Sequence, residues 1–316
     1  MKLNRLNSIM AKSVATLAAC TALNATAGTA PAPKNPAPIE PAPTALFDSI
    51  GATLDAAYDS RYYFRGLWFA DNIVTTALNV SIPLTDKLTW GVGAAYISTV
   101  ETPINNPTNL NRNSFDYSEI DVLTSLSYNA GWAKFGVQYQ YYFYPDTYSG
   151  SNGLNAAGGN GINGGDPEFG ILGNSELGFT VAIPVGNLNL GLGYFYDFTV
   201  GGSYFQASAD YTIAVTDWLS IVPAIQTGYG IDYYTGHNTA VLANLNGQAA
   251  NGFGGGNFPT SGFTHLLVSV AAPVKLTKSA TFTPYVAWNH GFDLRSSLNA
   301  TTHNEVFWGA KLSLAF

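Results

Sequence analysis

Asp55, Asp59, Arg61 and Arg65 all stand at odd positions, so an extended chain would send the four side chains out of one face. Acids and guanidinium groups that share a face do one of two things. They neutralise each other as ion pairs, or they line a passage along which their field draws ions and small polar solutes. Both readings stay open for this row. Further candidates recur along the chain at the matching face: Glu119, Asp121, Lys134, Glu176, Asp197, Asp210, Asp232, Asp293, Arg295 and Lys311, with the amide of Gln138 among them. Nine acids then stand against five bases. Around a narrow space that excess favours cations. Asp55, Asp59, Arg61 and Arg65 largely offset one another, so Glu119, Asp121 and Asp210 are expected to set the preference.

Catalysis has less to stand on. A hydrolytic nucleophile needs a base and an orienting group in reach. The four histidines are His237, His265, His290 and His303; only His265 lies well inside a strand-like segment, and none belongs to a recognisable serine motif. No phosphate-binding, zinc or dinucleotide fingerprint occurs. Gly158 to Asn163 resembles a fragment of a calcium-binding glycine repeat, in one copy and with Asn163 where an Asp is expected, and a glycine-rich external loop explains it better. The expectation is no enzyme, no metal and no cofactor.

The elements that hold these residues are alternating strands. Short punctuation falls at 83–87, 129–131, 184–187, 215–217 and 274–279, and longer or irregular connections at 67–72, 100–114, 145–173, 200–203, 235–262 and 296–301. Interleaved, the two sets delimit about twelve strands with both ends on the short-turn side. One phase of these strands is apolar: Val74, Leu78, Val80 and Ile82; Ile120, Val122 and Leu126; Leu190, Leu192 and Tyr194; Leu266, Val268 and Val270. No charge falls in that phase, which is what lipid contact demands, since a charge at the bilayer midplane costs about 2–4 kcal/mol. Aromatic residues of the apolar phase collect toward the long-loop end (Tyr62, Phe64, Tyr96, Tyr141, Phe143, Tyr196, Phe198, Tyr229, Tyr233) and the short-turn end (Trp90, Phe135, Phe282, Phe316), as two girdles would. The opposite phase is polar enough for water, yet Tyr142, Phe195, Tyr204 and Phe307 share it and would plug a lumen.

Composition agrees. Charged residues are 10% and aromatics 14%, with 33 glycines, 19 tyrosines and a mean hydropathy of only +0.08, because alternating strands average their two faces. Residues 1–27 carry Lys2, Arg5 and Lys12 ahead of a short apolar run and Ala25-Thr26-Ala27, the pattern of a secretory signal. Removing them shifts the net charge from -7 to -10, which disfavours nucleic acid as a partner. Residues 28–50 open with six prolines interspersed with alanine, a semi-rigid periplasmic linker, a tether or an unstructured arm. Residues 51–316 form the strand-rich domain.

Three resemblances extend this reading. Trp308, Leu312, Leu314 and the terminal Phe316 resemble the C-terminal signature of bacterial outer-membrane proteins, which implies recognition by the barrel-assembly machinery. Leu17-Ala18-Ala19-Cys20 resembles a lipobox, so the single cysteine is either lipidated or discarded with the signal. Ser60, Tyr62, Phe64, Arg65 and Gly66 resemble the Ser-x-Tyr-x-Phe-Arg-Gly element of the TorF-like family of bacterial outer-membrane porins, although the Pro and Gln that often follow are absent from 67–84. The expected fold is all-β: a transmembrane antiparallel up-and-down β-barrel of about 12 strands in the bacterial outer membrane. The expected function is passive diffusion of ions or small hydrophilic solutes, with cation preference. The alternative is a closed barrel acting as adhesin or structural anchor through external loops. Partners are outer-membrane lipid and the permeating solute; homo-oligomers stay open.

Overall fold

A computed structural model describes residues 51–100, 118–143, 173–199, 201–233, 261–292 and 304–316. The signal and linker segments, Cys20, Asp293 and Arg295 lie outside the described residues. Twelve long strands follow in chain order: β1 (Gly51–Phe64), β2 (Leu67–Pro83), β3 (Leu88–Thr99), β4 (Ser118–Asn129), β5 (Lys134–Phe143), β6 (Gly173–Val185), β7 (Leu188–Asp197), β8 (Gly202–Tyr211), β9 (Ser220–Ile231), β10 (Ser261–Ala271), β11 (Ala280–Gly291) and β12 (Asn304–Ala315). Two short segments, Ile213–Ala214 and Val274–Lys275, prolong the ladders at the short-turn end. Every neighbouring pair is antiparallel, and β1 pairs with β12, so the sheet closes into a barrel. The seam runs from Thr53 opposite Ala315 to Asp59 opposite Gly309. At its foot the Phe316 N–H donates to the Ala52 carbonyl at 2.9 Å. Closure removes the sheet edges that would otherwise expose unpaired backbone groups.

Period 2 sorts the side chains as expected over most of the wall. In β3, Gly93, Ala95 and Ile97 are buried while Val92, Ala94 and Tyr96 are exposed. Val74, Leu78, Val122, Leu126, Leu190, Leu192, Val268 and Val270 all face outward and are exposed. Aromatic rings bound this apolar surface on both sides: Tyr96, Tyr141, Phe198 and Tyr229 at one end, Trp90, Phe135, Phe282 and Phe316 at the other.

Two expectations fail at the first hairpin. Residues 67–72 are not a connection but the start of β2, and the turn is only Arg65-Gly66, both with positive φ (50° and 83°), as two-residue hairpins require. Tyr62 and Phe64 were expected in the outer girdle; both are buried inside the barrel. Tyr233, also expected outside, is fully buried. The cause is local. The ladder shifts between Tyr62 and Tyr63, leaving Phe69 as an extra residue, and Asn72 adopts a left-handed conformation with φ 53°. A bulge bends and re-aims the strand that carries it. Above Asp59 and Ile73 the ladders to β12 and β3 end among the described residues, with the Val100 N–H still donating to the Asn72 carbonyl at 2.8 Å, and residues 60–72 form a ribbon that leaves the wall and enters the lumen.

Candidate functional site

The ribbon crosses the barrel. One of its faces, with Tyr62, Phe64, Leu67 and Ala70, packs with Ile97 of β3, Tyr142 of β5, Phe195 of β7 and Tyr204 of β8. The other face, with Tyr63 and Trp68, packs with Val222 of β9, Leu267 of β10, Tyr285 and Ala287 of β11 and Phe307 of β12. Phe64 meets Tyr142 edge to face at 5.7 Å between centroids, and Tyr63 meets Phe307 at 5.2 Å. Burying apolar surface on both sides gives the ribbon its own core, about 25 cal/mol for each Å² removed from water. Tyr142, Phe195, Tyr204 and Phe307, the aromatics of the polar phase, are all part of it.

At the tip, Arg65 reaches the opposite wall. Its guanidinium forms a bidentate pair with Glu176 of β6, Nη1 to Oε2 at 2.5 Å and Nη2 to Oε1 at 2.6 Å, and also donates to the Tyr233 hydroxyl. Its central carbon lies 4.4 Å from the ring centroids of Phe195 and Tyr204, with Phe64 at 4.8 Å and Tyr233 at 5.1 Å. Arg65 and Glu176 are each only 1% exposed. A cation so desolvated is stable only with its carboxylate and ring partners present. Gly66 beside it is obligatory twice over, by its φ and because a Cβ would stand 2.5 Å from the His265 Cβ.

Further attachments run along the ribbon. The Tyr62 hydroxyl donates to Glu119 Oε2 at 3.1 Å, and Gln140 donates to Asp121 Oδ2 at 3.2 Å on the same patch of wall. At the base Arg61 pairs with Asp71 at 3.7 Å and with Glu305 of β12, and Trp68 Nε1 donates to Asp71 at 2.9 Å. Asp59 accepts from the Tyr285 hydroxyl. The mixed row thus forms ion pairs, but with partners outside itself: Arg61 with Asp71 and Glu305, Arg65 with Glu176.

The other expected residues scatter. Lys134 and Gln138 of β5 are buried on the inner wall. Asp55 and Lys311 lie low on the same face beside the β1–β12 seam. Asp197 is a turn anchor, accepting from Asn174 Nδ2 at 2.9 Å and from the Thr199 N–H at 2.8 Å. Asp210, half-buried near the short turns, accepts from Asn189 at 2.9 Å. Asp232 follows β9 at the rim, exposed and left-handed. Trp308 and Phe316 face outward and exposed, Leu312 and Leu314 half-buried in the same phase. Among the described residues no cluster of acids, histidines or cysteines suits a metal ion. Sequence reasoning missed the ribbon, Tyr233 and Glu305 as parts of one site; the inward phase of Phe195 and Tyr204 was the available signal.

A closed twelve-stranded antiparallel barrel with apolar outer and largely polar inner walls is the class these features define. Solved structures with a similar chain path are outer-membrane proteins. An outer-membrane channel from Pseudomonas putida F1 is 10% identical, with 84% of this chain and 94% of that chain covered and a TM-score of 0.45. The NanC porin is 10% identical over 83% and 98% of the two chains (TM-score 0.42), and LpxR from Salmonella typhimurium is 8% identical over 84% and 99% (TM-score 0.42). No family model and no curated protein matches the sequence, so the TorF-like resemblance rests on residues 60–66 alone.

Proposed function

We propose that this chain is a bacterial outer-membrane channel of the porin type, passing ions and small hydrophilic solutes with a preference for cations. One observation carries the reading: every charged residue of the twelve strands belongs to the inner phase, and acids outnumber bases there. Asp55, Asp59, Asp71, Glu119, Asp121, Glu176, Asp197, Asp210 and Glu305 face inward against Arg61, Lys134 and Lys311. Exposed aliphatic residues between two aromatic belts supply the lipid contact, and a barrel satisfies its backbone within the bilayer. Phe316, at the end of the strand that closes the ring, is the proposed signal to the assembly machinery. Its deletion is expected to lower the amount of heat-modifiable protein in the outer membrane without lowering synthesis.

A second reading has its own support. The ribbon's packing on both faces would suit a closed barrel that acts as an adhesin or anchor through its external loops. Recordings from purified protein in planar bilayers separate the two. Discrete conductance steps with a cation-sided reversal potential in a KCl gradient are expected of the channel; silence from correctly folded protein, with its hairpin removed as well as intact, would select the anchor.

A further inference from the structure

The register of the seam offers the ribbon a second place, in the wall. On β12, residues 304–308 pair with β11 on one side, from His290 opposite Asn304 to Val286 opposite Trp308, while among the described residues the ladder to β1 ends at Gly309. The Trp308 N–H there is taken by the Ser60 hydroxyl at 3.0 Å rather than by a backbone carbonyl. Continuing the seam register upward from Asp59–Gly309 would set residues 60–64 of β1 against residues 308–304 of β12, one for one. That stretch of β12 has the length of the displaced part of β1.

The side chains fit that second position as well. With β1 extended along β12, Tyr62 and Phe64 would point outward, into the belt already formed by Tyr96, Tyr141 and Phe198, while Arg61, Tyr63 and Arg65 would point inward. Val306 and Trp308, which would flank Tyr62 on that face, are now 63% and 56% exposed. Glu305 shares the inner phase with Arg61, so that their ion pair is compatible with both positions. The unpaired step opposite Ser60, the left-handed Asn72 and the bulge at Phe69 mark where the chain turns from one path to the other.

We infer that residues 60–72 are a gate with two seats: a lumen seat, latched by Arg65–Glu176 and Tyr62–Glu119, that obstructs the channel, and a wall seat, with β1 laddered to β12, that opens it. This rests on the channel reading above. The latch sets the balance, because the aromatic cage and the carboxylate hold the guanidinium only in the lumen seat. Interconversion breaks no covalent bond and exchanges side-chain packing for a backbone ladder.

Cysteines at Tyr62 and Val306 report the wall seat directly. In the lumen seat the Tyr62 side chain lies inside the barrel and Val306 on its outer surface; in the wall seat the two are cross-strand neighbours. Tyr62→Cys with Val306→Cys, oxidised by copper–phenanthroline, is expected to cross-link and to hold KCl conductance on, and reductant is expected to restore closure. Ala56→Cys with Leu312→Cys, facing each other in the seam of either state, is the positive control, and single-cysteine variants are the negative ones. Glu176→Gln, which keeps the shape and removes the charge, should raise open probability at least about tenfold. Absence of the 62–306 cross-link while the 56–312 pair forms would overturn the gate and leave the channel reading intact, as would a steady wild-type conductance that neither cross-link nor Glu176→Gln alters. A cross-link with no current in any state would overturn the channel reading while the movement itself stands.

Discussion

Two hairpins at the same end of the barrel have short turns and opposite fates. The β7–β8 hairpin stays in the wall: Asp197 pairs across to Glu176 on one side and Gly202 on the other, and its turn is tied back by Phe198 N–H to the Ser175 carbonyl at 2.9 Å and Gly201 N–H to the Asp197 carbonyl at 3.0 Å. Each rung on one side is matched by a rung on the next strand. The β1–β2 hairpin leaves its outside ladders at Asp59 and Ile73 and turns inward. Turn length does not separate them. What separates them is a one-residue bulge and a set of long-range attachments, of which Arg65–Glu176 is the most deeply buried. Where a hairpin sits is decided by what its tip can bind.

The sharpest way to break this contrast is at the tip. Glu176→Ala leaves a buried guanidinium without its carboxylate, a loss of about 3–5 kcal/mol for the lumen seat. Protease protection of residues 60–72 in detergent is expected to fall, while the β7–β8 turn, held by Asp197, stays protected. Next in size is the outer wall, common to both hairpins. Val268→Arg is expected to cost about 2–4 kcal/mol in refolding titrations into lipid, and Asp210→Asn, on the inner face, little; equal yields would refute the assigned register.

A glycine pair sharpens the comparison. Gly66 and Gly201 both have positive φ, 83° and 70°, but only Gly66 has His265 against it, whereas a Cβ at Gly201 meets open space. Gly201→Ala should cost about 1–2 kcal/mol from backbone alone, and Gly66→Ala more, with loss of hairpin protection. The smallest effect is on selectivity: Asp210→Asn should move the reversal potential in a KCl gradient toward zero by a few millivolts, more at low salt where screening is weak.

Much of this barrel is legible in the chain because a strict two-residue period repeats through most of it. Val122, Leu126 and Val268 announce the outer face, and Glu119 and Asp121 the inner one, without reference to any partner. The inward aromatics Phe195 and Tyr204 even announce that the lumen is not empty. The ribbon was not legible, and for physical reasons. Parity still separates Tyr62 and Phe64 from Tyr63, but it cannot report that the whole ribbon leaves the wall, where both of its faces become buried. An Arg-Gly turn lacks the Asn or Asp that ordinarily marks two positive φ values in succession. Glu176 lies 111 residues from Arg65, and no local spacing connects them.

The seam at which Thr53 meets Ala315 also governs how this ring comes into being. Its two strands stand at opposite ends of the folded domain, so the loop to be closed is nearly the whole domain, and the entropy of that closure must be met before the last ladder forms. Until β12 arrives the molecule is an open sheet with two long edges, each able to pair with another copy. An assembly partner that covers β1 until Phe316 is delivered would protect the chain during the interval in which it is most prone to aggregate.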